Sequence, residues 1–266
     1  MTKPAILGGT PENISSFPPY NTIGIEEKKA VMDVLDSGEL SGFVAGDIPA
    51  FYGGKQVQAL EKEFCKNLEL QFPNHNEDFW LKYNNPVEKK LLYNHLDNVM
   101  PKNIKKTLLH LNEDWFLMKL KDLTGISGLK SDPKLHGGGM HCTKRMGKLD
   151  VHIDYSLHPT LKLERRINLI LYLNSDWDSK YGGNLELWNK DMTKKIKSIE
   201  PKFNRAIIFN TTDISYHGHP SPLMCPENKC RKSLAWYYLT EPQVDVTKRY
   251  RAKFVARPSD SKDDKI

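Results

Sequence analysis

The sequence predicts a mostly β domain with flanking helices, built as an antiparallel sandwich or jelly roll. Three observations predict it. After Gly125, short runs rich in β-branched and aromatic residues follow one another: KLDVHIDYS, RINLILYLN, NLELWN, KSIEPKF, NRAIIFNT and SLAWYYLT. Turn signals, among them Gly182-Gly183 and Asn204-Arg205, separate these runs. No helical pattern lies between them, which favours antiparallel pairing over a βαβ arrangement.

The preceding part of the chain reads differently. Residues 1–20 are rich in Gly, Pro and Ser and are expected as an extended arm. Residues 23–37 place Ile25, Val31, Val34 and Leu35 on one helical face, and Gly38 follows as a stop. Residues 38–54 are Gly-rich and irregular. A second helix is expected over 55–68, through Val57, Leu60, Phe64 and Leu68. The polar stretch 69–78, with Pro73, marks the main boundary. Periodicity then predicts helices over 87–99 and 102–123, separated by Pro101. The organisation expected is a helical arm over 1–70, a β domain over 71–245 and a basic, disordered tail over 246–266. No internal repeat is visible.

Composition narrows the classes. The 266 residues are 27% charged and 39% hydrophobic, ordinary for a globular protein. No apolar run approaches the roughly 20 residues that span a bilayer, and Met1 to Thr10 lacks the order of a secretory signal, so a cytoplasmic protein is expected. Net charge is +6, spread along the chain with clusters at Lys194, Lys195 and Lys197 and from Lys248 to Arg257. Such clusters are ordinarily solvated faces, so nucleic acid is not the expected partner. Cys225 and Cys230 are separated by four residues, which is not a zinc-knuckle spacing, and Cys65 and Cys142 stand apart, so reduced thiols are expected.

A three-ligand metal site is the strongest chemical signal. Two histidines and a carboxylate on one face of an octahedral ion leave three positions open. His-x-Asp on a strand supplies two of the three, because residues i and i+2 point to the same side. The motif alone says little: nine histidines and 33 acidic residues in 266 positions give about one chance match. Three are present. His75-Asn-Glu77 lies in the polar linker and His95-Leu-Asp97 in a helical pattern, whereas His152-Ile-Asp154 lies in a strand-like run. The third ligand is expected from FNTTDISYHGHP, where His217 continues from a strand and His219, held by Pro220, reads as a surface histidine in a turn.

A dicarboxylate that chelates the metal through one end needs a cation for the other. Arg231 suits it, because a planar fork binds a carboxylate bidentately. Arg231 and Ser233 are i and i+2 at the start of a strand and face the same way. Tyr172 could donate to the same group, and Asn168, polar in an apolar strand, must meet a ligand or a network. Unliganded readings, a solvated Arg231 and a core Tyr172, stay open at this point.

GGGMHCTKRMGKLDVHIDYSLHP, RRINLILYLNSDWDSKYGGNLELW, FNRAIIFNTTDISYHGHP and RKSLAWYYLT resemble, in order and spacing, the 2-oxoglutarate/Fe(II) oxygenases of the prolyl-4-hydroxylase-like group, over residues 78–242. The resemblance implies a double-stranded β-helix with helices outside. It implies iron ligation by His152, Asp154 and His217, co-substrate binding by Arg231 with Ser233 and Tyr172, and Fe(II), 2-oxoglutarate and O2 as cofactors, with ascorbate as an auxiliary; Asn168 joins the co-substrate candidates from its polar place in an apolar strand. Collagen-type prolyl hydroxylases use a Lys nearer the distal His. Here Arg231 follows His217 by fourteen residues, with a Pro- and Cys-containing insertion between. Residues 17–68, FPPYNTIGIEEKKAVMDVLDSGELSGF and FYGGKQVQALEKEFCKNL, resemble the opening helices of pyridoxal-phosphate sugar aminotransferases, but no Schiff-base lysine region follows.

Three functions follow as expectations. The first is a dioxygenase that hydroxylates an unactivated C–H of a small metabolite or sugar conjugate, releasing succinate and CO2. The second is a peptidyl-prolyl 4-hydroxylase, and the third a non-catalytic metal-binding jelly roll. The substrate is a small molecule or a peptide. The arm's apolar helix faces are expected to meet a partner, a second copy or the active-site mouth.

Overall fold

The computed structural model describes Leu7, residues 22–38 and residues 53–260. The expected extended arm, apart from Leu7, most of the Gly-rich stretch 38–54 and the last six residues lie outside these. The chain divides into two compact units, Met1–Leu60 and Glu61–Ile266. In the first, α1 (Ile25–Ser37) starts at Gly24, whose amide donates to the Glu27 carboxylate at 2.7 Å, and stops at Gly38 with φ of 70°. Its apolar positions Ile25, Val31 and Leu35 are exposed.

The helix α2 (Lys55–Gln71) runs through the division between the units. Beyond it, its Cys65 and Leu68 are buried in the main core of the second unit, so the chain that supports the β domain begins earlier than the boundary read at residue 70. Next come β1 (Leu81–Asn84), β2 (Glu88–Tyr93), α3 (Lys102–His110) and α4 (Asp114–Thr124). The strands that follow are β3 (Gly139–Lys144), β4 (Lys148–Ile153), β5 (Glu164–Tyr172), β6 (Leu185–Trp188), β7 (Lys195–Ile199), β8 (Arg205–Asn210), β9 (His217–His219), β10 (Cys230–Thr240) and β11 (Lys253–Phe254). They pair antiparallel in the order β7-β6-β9-β4-β2-β3-β10-β5-β8, with β1 on β2 and β11 on β4. This is a mostly antiparallel double-stranded β-helix with helices outside.

Two expectations are corrected. Residues 87–99 form no helix. Val87, Leu91 and Leu92 fit a helical spacing, but Asn85 closes a tight turn by accepting from the amides of Val87 and Glu88, and β2 then pairs with β1, β3 and β4. Tertiary pairing overrides a local pattern that was ambiguous at this length. The tail is not wholly disordered: β11 pairs with β4, with Phe254 opposite His152, and residues 246–260 are placed.

The strand β10 shows how the core positions the site. Leu234, Trp236 and Tyr238 point to the helices. The Trp236 indole donates to the Leu108 carbonyl at 3.0 Å and the Tyr238 hydroxyl to the Leu111 carbonyl at 2.8 Å. Burying each such ring contributes roughly 1.5–3 kcal/mol or more. With this face fixed to α3, strand alternation turns Arg231 and Ser233 to the other side, into the barrel.

Candidate metal and co-substrate site

His152 and His217 are directly opposed across β4 and β9, and Asp154 follows β4 by one residue. All three are buried, and one ligand atom from each lies within 4.8 Å of the others. The His152 Nε2 is 3.6 Å from Asp154 Oδ1, and the His217 Nε2 is 3.4 Å from Asp154 Oδ2. Each imidazole is oriented by the same device. Nδ1 of His152 donates to the Asp150 carbonyl and Nδ1 of His217 to the Ser215 carbonyl, both at 2.8 Å. Only a protonated Nδ1 can face a carbonyl, which leaves Nε2 of each ring as the nitrogen turned to Asp154 and the centre, the orientation a metal requires.

The approach of β9 to β4 depends on Gly218. A Cβ there would lie 2.8 Å from the carbonyl oxygens of Leu149 and Asp150. No larger residue lets His217 close on His152 at this distance.

Asp154 is held by a second layer that the sequence did not reveal. Its Oδ2 accepts from the Asn168 amide at 2.9 Å and pairs with an Arg165 terminal nitrogen at 3.1 Å, while Arg165 Nε donates to Asn168 Oδ1 at 2.8 Å. Arg165 lies between Tyr237 and Tyr155, its guanidinium carbon 3.3 and 4.8 Å from their ring centroids. Burial pushes the Asp154 carboxyl up, but Arg165, His217 and His152 outweigh it and hold the group well below the usual range. Of the ligand or network expected for Asn168, the structure shows a network, through its contact to the metal-facing carboxylate. Arg165 and Asn168 have opposite parity on β5; a bulge opposite Tyr238 and Leu239 lets them meet.

Arg231 is buried. Its Nε donates to the Gly183 carbonyl at 2.8 Å, a terminal nitrogen donates to the Tyr172 hydroxyl at 2.9 Å, and the guanidinium lies 4.8 Å from the Tyr172 ring centroid. Among the described residues it forms no ion pair with a carboxylate. A buried guanidinium without a counter-ion is costly, and an anionic guest would remove that cost. Gly183 makes the placement possible: its φ is +79°, and a Cβ there would lie 3.0 Å from Arg231 Cδ and 2.8 Å from Leu223. Ser233 is buried opposite Tyr172 in the β5–β10 ladder. Asn168, at the metal, and Tyr172, at Arg231, are four residues apart on one face of β5, a span of roughly 13 Å between their backbone positions.

The other histidines are separated by the fold. His95 is exposed, while His75 is buried and its partner in the motif, Glu77, is exposed. His158 pairs with Asp132 at 3.3 Å, away from the metal cluster. His219 is not a surface residue: it ends β9 and is buried. Of the basic residues around the start of β4, Lys148 pairs with Asp150 at 2.9 Å and Arg145 with Glu227 at 3.3 Å.

Residues 138–239 match the family model of the 2OG-Fe(II) oxygenase superfamily, and this span contains His152, Asp154, His217 and Arg231. By this match the segment is similar to the 2OG-Fe(II) oxygenase superfamily. Part of the chain also aligns with curated relatives. The prolyl 3-hydroxylase OGFOD1 of Mus musculus is 35% identical over 85 residues, covering 29% of this chain and 15% of the relative. Its counterpart in Xenopus laevis is 32% identical over 79 residues, covering 28% of this chain and 15% of that protein. The chain therefore spans only 15% of the length of these relatives. Among solved structures, a prolyl-4-hydroxylase of Pseudomonas putida superposes at a TM-score of 0.49 with 14% identity, over 68% of this chain and 88% of that one. No helix among the described residues is long and apolar enough to cross a membrane.

The oxygenase site predicts an acid sensitivity. Burial first, with His152 and Arg165 nearby, lowers His217 from 6.5 to about 4 despite the opposing pull of Asp154. The unfolded chain takes up this proton below about 6.5 and the folded chain does not, so stability falls as pH drops from 6.5 towards 4. The lowered Asp154 extends the loss to lower pH. The denaturation midpoint of metal-free protein is expected to fall across this window. A flat midpoint between pH 7 and 4.5 would contradict the neutral, buried state of His217.

Proposed function

We propose that the oxygenase segment binds Fe(II) through His152, Asp154 and His217 and anchors 2-oxoglutarate on Arg231, as a dioxygenase. The observation that carries this reading is the presence, in one barrel, of two imidazoles and a carboxylate converging on a point and a buried guanidinium without a counter-ion. The donor set suits Fe(II), and three ligands on one face leave room for a chelating co-substrate and O2. Fe(II) with 2-oxoglutarate and O2 would supply the oxidising power to hydroxylate an unactivated C–H, with release of succinate and CO2. The protein's part is positional. The backbone carbonyls of Asp150 and Ser215 set both imidazoles, Asn168 and Arg165 hold Asp154 ionised, and Arg231 with Tyr172 receives the distal carboxylate.

The substrate class proposed is a small, polar metabolite or sugar conjugate. A chamber of about 150 Å³ shares Asp154 and Arg165 with the metal site. Thr211, Ser215 and Gln243 contribute to its lining beside Arg166 and Arg249 and the acids Glu164, Asp213 and Asp245, groups that complement hydroxyls more than an apolar pyrrolidine ring. The Thr211 hydroxyl is buried there without a partner among the described residues. A second reading, peptidyl proline, is favoured by the curated relatives, which are prolyl 3-hydroxylases by name. Screening candidate substrates for succinate release coupled to a product one oxygen heavier separates the two. Stoichiometric hydroxylation of a proline-containing peptide, with no coupling to any sugar conjugate, would sink the first reading and establish the second.

A further inference from the structure

The mechanism above leaves one buried group unused. His219 closes β9 two residues after His217, so the two imidazoles leave the strand on the same side. The residue is 5% exposed, and its Nδ1 is buried without a hydrogen-bond partner among the described residues. Gly218 holds β9 tight on β4, with Leu149 opposite His219, which limits how far the ring can retreat.

The register carries His219 towards Arg231: β6 pairs antiparallel with β9, with Glu186 opposite Gly218, so His219 falls towards Gly183, whose carbonyl accepts from Arg231. Burial, Arg231 and Lys90 all disfavour a charge on the His219 ring. Lys90 is neutralised by Glu88 at 2.9 Å, whereas Arg231 has no carboxylate among the described residues. A buried ring nitrogen without a partner and a buried guanidinium without a counter-ion are each costly. One guest satisfies both: a carboxylate, whose two oxygens accept from several donors at once.

We propose that His219 donates its Nδ1–H to the distal carboxylate of bound 2-oxoglutarate, as a third donor beside Arg231 and Tyr172. The inference rests on the reading of Arg231 as the co-substrate anchor. His219 is a positioning residue for the co-substrate and not a metal ligand, since His217 occupies that role on the same strand.

The test is calorimetric binding of 2-oxoglutarate to the Mn(II)-loaded protein, with Mn(II) affinity measured separately. His219→Val is expected to raise the 2-oxoglutarate dissociation constant by about tenfold to a hundredfold, the loss of one hydrogen bond to a charged group, with Mn(II) binding unchanged. His219→Asn should recover most of it, because the Asn amide nitrogen lies where Nδ1 does along the side chain. Pyruvate, a 2-oxo acid without the distal carboxylate, should bind wild type and His219→Val alike. Wild-type affinity in His219→Val with weakened binding in Arg231→Ala would overturn the role of His219 alone. Unchanged binding in both would overturn the anchor reading and this inference with it. Equal losses for pyruvate and 2-oxoglutarate, a loss of Mn(II), or no recovery in His219→Asn would assign His219 to packing instead.

Discussion

Asp154→Ala is expected to reduce succinate release from 2-oxoglutarate by about a thousandfold or more. A metal contributes several kcal/mol to such chemistry, and each 1.4 kcal/mol or so is a factor of ten in rate. Asp154 has two functions, and the variant removes both. It supplies the one anionic ligand, and it neutralises Arg165, which pairs with it at 3.1 Å in a buried setting. The alanine variant therefore leaves a buried guanidinium unpaired and should also unfold more easily. His217→Ala removes a ligand without exposing that cation. It is expected to lose turnover to a similar degree with a smaller loss of thermal stability. Near-normal succinate formation in either variant would remove the residue from the metal site, and equal stability losses would contradict the account of Arg165.

Arg231→Ala is expected to raise the Michaelis constant for 2-oxoglutarate by about tenfold to more than a hundredfold, from the roughly 1.5–3 kcal/mol of a charge-assisted hydrogen bond. Arg231→Lys should recover only part of this. The guanidinium divides its donors between the Gly183 carbonyl and the Tyr172 hydroxyl, and a lysine ammonium cannot hold that fork while facing a guest. Kinetics unchanged in both variants would leave Arg231 as a structural cation.

The parts of this site that were legible in the sequence are those governed by local rules. His152 and Asp154 are i and i+2 on a run with strand character, and period two alone puts them together. Arg231 and Ser233 share a face of β10 by the same rule, and the apolar partners on the opposite face, Leu234 and Trp236, tell which side is the core. What was not legible depends on distant approach. Gly183 is a turn residue to the eye, yet its missing Cβ makes the channel for an arginine 48 positions away. Arg165 precedes the apolar stretch of β5 and reaches Asp154 only through a bulge.

The errors have similar causes. Pro220 made His219 look like a turn, because β9 is only three residues long and ends just before the proline. A strand that short carries no periodicity of its own and exists because β4 and β6 pair with it from both sides. The segment 87–99 had too few residues to separate a helical from a strand period, and its three pairing partners decided the matter.

A barrel that holds Fe(II) and 2-oxoglutarate for oxidative turnover should consume O2 and form succinate together, followed in the purified protein with Fe(II) and 2-oxoglutarate added singly and in combination. Succinate and O2 uptake are expected in equal amounts only when both are present, and neither in His217→Ala. Tight binding of metal with no succinate under any substrate would contradict this expectation and leave a metal-holding jelly roll without turnover.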